Sequence, residues 1–107
     1  MSKHIVSTSK APAAIGVYSQ AARVGNTIWV SGQIPLDPAT QALVTGDMEA
    51  QVRQVFQNLK AIVVAAGATL DDVVKVTVYV KTIAAFSEIA DIRLRYFPTN
   101  GPASAIP

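Results

Sequence analysis

The sequence has no cysteine, one histidine (His4) and one tryptophan (Trp29). Without cysteine there are no disulfides, thiolate nucleophiles or sulfur-ligated zinc, so the fold has to stand on packing alone. His4 is the only imidazole and lies near the amino end, which leaves a metal centre or a Ser-His-Asp triad without its usual side chains. No metal is expected. Charge is also scarce: 15% of residues are charged, the net charge is +2, and the nine Lys and Arg are scattered from Lys3 to Arg95. Neutralising phosphates takes several cations on one surface, so nucleic acid is a poor candidate partner. No apolar run approaches the roughly 18 residues needed to cross a bilayer, and the first seven residues lack the apolar stretch of a signal peptide. A cytoplasmic protein without a membrane partner is the expectation.

What the chain does have is apolar surface. Half of its 107 residues are hydrophobic, which excludes disorder. A chain of this length builds one domain with one core, here taken as 1–107. So small a body covers its apolar side chains poorly, and the surplus is expected in a pocket or against other copies of the chain.

Two strands are predicted over Tyr18–Val24 and Thr27–Ser31, joined at Gly25-Asn26 by a two-residue turn with glycine first. In the second strand Ile28 and Val30 alternate with Trp29, so its two faces should meet different surroundings. Pro35, Asp37 and Pro38-Ala39-Thr40 mark a surface loop. From Met48 the apolar residues Val52, Val55, Phe56, Leu59, Ile62 and Val63 recur at helical spacing. Asp47 and Glu49 suit the positive end of that helix, and Gly67 suits its termination. A capped turn at Thr69–Asp72 precedes a β-branched strand over Val73–Val80, with Val74, Val76, Val78 and Val80 on one face. A second helix is predicted from about Ala84 to Phe97, capped by Thr82 and stopped by Pro98. The amino end reads as frayed, and the Gly- and Pro-rich tail as unable to complete much structure. Strands and helices in this order suit an α+β fold, a mixed sheet with two helices on one face and the other face left bare.

Few residues suggest chemistry by themselves. Asp71-Asp72 reads as a solvated helix cap rather than an acid/base pair. Ser31-Gly32-Gln33-Ile34-Pro35 closes a strand with a residue that either lets a ligand approach the backbone or merely eases a bend. Tyr18 brings a phenol to the start of the hairpin, and Trp29 an aromatic wall.

The segments Ala11–Gln20, Gly25-Asn26, Val30–Pro35, Gln51–Lys60, Ala65–Gly67 and Val74–Val80 together resemble, in order and spacing, the RidA/YjgF family of imine deaminases. The resemblance runs from near the amino end to Pro98. It implies a homotrimer whose sheets form a central barrel, with a small 2-imino or 2-keto acid held in each inter-subunit cleft and no cofactor. It implies hydrolysis of 2-imino acids to 2-keto acids and ammonia, with Tyr18 as the catalytic phenol and Ser31, Gly32 and Gln33 lining the pocket. Tyr79 falls where an aromatic from the neighbouring subunit contributes. One departure lies in Pro102-Ala103-Ser104-Ala105, where deaminating members carry an arginine that grips the substrate carboxylate. Ser104 takes that position or follows a deleted arginine. A hydroxyl cannot replace a charge-assisted fork, and the loss is about 2–5 kcal/mol of carboxylate binding. The family's last strands, and a glutamate that orients water, are expected beyond Pro107. The same resemblance leaves two other readings, a trimer that binds a metabolite without turning it over and an RNA-directed endoribonuclease or translation inhibitor.

Overall fold

A computed structural model describes residues 2–81 and 85–105 of the chain. The elements run β1 (His4–Val6), β2 (Ala21–Val24), β3 (Thr27–Val30), α1 (Met48–Ala65), a 3-10 turn (Leu70–Asp72), β4 (Lys75–Thr77), α2 (Phe86–Tyr96) and β5 (Ala103–Ala105). Strands β1, β2 and β3 form an antiparallel sheet in that order, and β4 pairs with β5 in parallel. The class is α+β with mixed sheets and two helices, as expected, the two kinds of pairing being divided between two sheets.

The β2–β3 hairpin forms because Gly25 adopts φ +58, the left-handed conformation a tight turn requires there. Ile28 and Val30 then face inward onto a core of Val6, Ala11, Ala21, Ile62 and Ala66. Trp29 faces the other way and is 69% exposed. The pairing register puts Ile5, Ala22 and Trp29 in one row across that outer face. The first hairpin strand begins at Ala21 rather than Tyr18, since the Gln20 side chain binds the irregular chain before it.

Helix α1 is marked at both ends as the sequence predicts. The Asp47 carboxylate accepts from the Ala50 N–H at 2.9 Å, and Gly67 at φ +92 follows the last turn. Ile62 on α1 is fully buried. Phe56 stacks on Tyr96 at 5.0 Å between ring centroids and meets Phe97 edge-on at 6.1 Å, which holds α2 against α1. The Asp72 carboxylate accepts from the Thr69 N–H at 2.9 Å, making the capped turn.

Four expectations change. The strand foreseen over Val73–Val80 is paired only over Lys75–Thr77, since its partner β5 supplies three residues; beyond it the Val78 N–H still reaches the Ala105 carbonyl at 2.9 Å. Helix α2 ends at Tyr96, and Phe97 (φ −131, ψ 72) has already left the helix because Pro98 follows it. Thr82 and Ala84, the expected cap and start, lie outside the described residues. The amino end and the tail, read as irregular, form β1 and β5. Strands so short carry no periodicity of their own, and they gain regularity from a neighbour's edge.

Candidate functional site

The end of β3 is joined to the segment that carries Tyr18. The Ser31 hydroxyl donates to the Ser19 carbonyl at 2.6 Å, and the Ser31 N–H donates to the Gln20 carbonyl at 3.0 Å. Tyr18, 55% exposed, therefore stands beside this strand end with its ring accessible. The arch before it turns at Gly16, where φ is +99.

Gln20 holds the base of the arch. It is 4% exposed; its Oε1 accepts from the Thr8 N–H at 2.7 Å, while Nε2 donates to the carbonyls of Thr8, Ala11 and Pro12 at 3.0, 3.3 and 2.7 Å. A buried amide is tolerated when its donors and acceptor are bonded in this way.

Gly32 follows Ser31 at the end of the strand. Its φ lies outside the left-handed region, and a Cβ built on it meets no atom within 4 Å. Neither a left-handed φ nor a close approach of the chain's own atoms calls for glycine here. The N–H groups of Gly32 and Gln33 donate to none of the described residues. Gln33 turns inward, its Nε2 donating to the Ser31 and Gly32 carbonyls at 3.2 and 3.3 Å, so it braces the strand end. Below, the fully buried Asn58 of α1 donates from Nδ2 to the Ile34 and Leu36 carbonyls at 3.4 and 3.0 Å.

The remaining predicted residues belong to the β4–β5 part of the chain. Tyr79 lies just past β4 and is 80% exposed, and Ser104 sits in β5 opposite Val76. No hydrogen bond among the described residues links either to Tyr18, Ser31, Gly32 or Gln33. One protomer thus presents two groups, a braced one at the end of β3 and an open one on β4 and β5. The braced group contains no charged side chain, so an anion there would meet backbone N–H groups and hydroxyls. Sequence reasoning missed Gln20 and Asn58. Asn58 had a signal: it falls three residues after Val55 and four before Ile62, a polar side chain on the helix's apolar face.

Comparison with known proteins identifies the family. The pattern of the Endoribonuclease L-PSP family matches residues 8–106. A RutC family protein of Pyrococcus abyssi is 50% identical over 103 residues, 96% of this chain and 81% of the relative. The 2-iminobutanoate/2-iminopropanoate deaminase of Rattus norvegicus is 47% identical over 103 residues, 96% of this chain and 75% of that protein. The crystal structure of RidA from the Antarctic bacterium Psychrobacter sp. PAMC 21119 matches with a TM-score of 0.92 at 43% identity, covering 97% of this chain and 84% of that one. With a family pattern spanning nearly the whole chain and relatives this similar, the chain belongs to the RidA/YjgF, or Endoribonuclease L-PSP, family.

Proposed function

We propose that the protein hydrolyses small reactive 2-imino acids to 2-keto acids and ammonia, in clefts between the copies of a cytoplasmic homotrimer. The observation that carries this reading is Gly32, a glycine that the chain's own geometry does not require, beside two N–H groups without described partners. A substrate carboxylate accepting from the Gly32 and Gln33 N–H groups would account for both. Tyr18, next to that strand end through the Ser19–Ser31 hydrogen bond, is then the acid that polarises the imine nitrogen. Water adds to the imine carbon, the carbinolamine expels ammonia, and the keto acid remains. The name of the rat relative points to the same substrates. Exposed Tyr79 and the outward row with Ile5 and Trp29 support completion of the cleft by a second copy.

A second reading, binding without turnover, is favoured by Ser104, which takes the position, or follows the deleted position, of the carboxylate-gripping arginine that the family resemblance implies for deaminating members. The test is the decay of 2-iminopropanoate, generated by an amino-acid oxidase and trapped with semicarbazide. The unmodified protein is expected to accelerate decay and Gly32→Ala to slow it about tenfold, close to 1.4 kcal/mol, with unchanged melting. Acceleration only after Ser104→Arg would replace the enzyme reading by the binding one.

A further inference from the structure

We infer that Asn58 is a positioning residue: from inside α1 it sets the place of the ligand-facing backbone at Gly32 and Gln33. The inference rests on the reading of that backbone as the carboxylate site. Asparagine is a poor choice for a helix interior, and a leucine would continue the apolar face that Val55 and Ile62 define. Asn58 is nevertheless fully buried, and its amide is satisfied from two directions. Its Oδ1 accepts from Gln54 Nε2 at 2.9 Å, one turn earlier, which orients Nδ2 away from the helix and toward the Ile34 and Leu36 carbonyls.

Those carbonyls flank Pro35, which has no N–H, so a continuous sheet ladder cannot fix this stretch. The segment folds tightly instead, the Leu36 N–H donating to the Ile34 carbonyl at 2.7 Å and the Val44 N–H to the Pro35 carbonyl at 2.8 Å. Upstream, Ser31 is anchored to Ser19 and Gln20. Gly32 and Gln33 therefore span two fixed points, and the downstream one is held to α1 by Asn58. Removing the Asn58 amide frees one end of the span that presents the two N–H groups. A weakened grip on substrate follows, with the proton chemistry at Tyr18 left intact.

The experiment compares Asn58→Ala, the milder Gln54→Leu and, as a control for general loss of stability, Ile89→Val in α2. Order parameters of the Gly32 and Gln33 amides, hydrogen exchange at Leu36, and KM and kcat for 2-iminopropanoate are measured in each. In Asn58→Ala the order parameters should fall from about 0.85 to below about 0.6, a change from rigid to flexible backbone. Leu36 exchange and KM should each rise about tenfold, with kcat held within about twofold, because the interaction lost binds ground state and transition state alike. Gln54→Leu should shift the same quantities in the same direction, about threefold, and it carries the test if Asn58→Ala fails to fold. Loosening spread evenly over the chain, as in Ile89→Val, would overturn the inference, as would an unchanged KM alongside a raised one in Gly32→Ala. If the unmodified protein turns over no imine, the deaminase reading falls alone. The order parameters and a titration with 2-ketobutanoate then decide the role of Asn58.

Discussion

Around the first sheet, irregular chain is held by buried amides. Gln20 binds the 8–12 segment and Asn58 the 34–36 segment, and the Ser31 hydroxyl joins the strand end to the arch of Tyr18. Around β4 and β5 there is no buried polar side chain among the described residues, and Val74 and Tyr79 are each 80% exposed. Helix α1 has the Asp47 carboxylate as its cap, whereas α2 has Ala85 in that position, with no side-chain acceptor. Irregular chain is thus braced by buried side chains in one region and not among the described residues of the other, while both expose large apolar side chains, Trp29 at 69% and Tyr79 at 80%. A site assembled from both needs rigidity from the first and accessibility from the second.

Four substitutions would break or sharpen that contrast. The largest effect is expected from truncating the cores: Ile62→Ala, beneath the first sheet, should cost about 2–5 kcal/mol, with Ile89→Ala in α2 near the lower end of that range. Urea unfolding of both variants measures the gap, and an equal or larger loss at Ile89 would mean that the two regions are equally consolidated. Next, Tyr79→Ala should reduce turnover of 2-iminopropanoate about tenfold while stability stays within about 0.5 kcal/mol, the outcome expected if this exposed side chain meets substrate as proposed. A drop in melting temperature without a loss of rate would assign Tyr79 to packing instead. The smallest effect belongs to the cap: Asp47→Ala should cost about 1 kcal/mol, seen as a lower urea midpoint with an unchanged slope.

Helix α1 was legible because its apolar spacing, the Asp47 cap and Gly67 agree with one another, and the hairpin because Gly25-Asn26 lies between two apolar runs. Strands β1 and β5 were not. Each has three residues and exists through the edge it pairs with, a fact of tertiary structure that no local pattern records. The candidate site divides along the same line. Gly32 stood out in the sequence, and the geometry adds that the chain's own atoms do not require a glycine there. That Ser104 pairs opposite Val76, close in the chain to Tyr79, depends on the parallel β4–β5 register, which no local pattern records. Asn58 was visible as a polar break in an apolar stripe, yet its purpose appears only once the Ile34 and Leu36 carbonyls are seen to lie opposite it.

The two pairings also differ in how the chain must reach them. β2 and β3 meet across a two-residue turn, a closure that needs only local chain and falls in the microsecond range typical of hairpins. β4 and β5 cannot meet until the chain between them has passed through α2, and bringing distant segments together carries a larger loop-closure entropy before any contact rewards it. In order of assembly, the strand end bearing Ser31 and Gly32 forms early from neighbours in sequence. The surface bearing Tyr79 and Ser104 comes into register only when the crossover is complete.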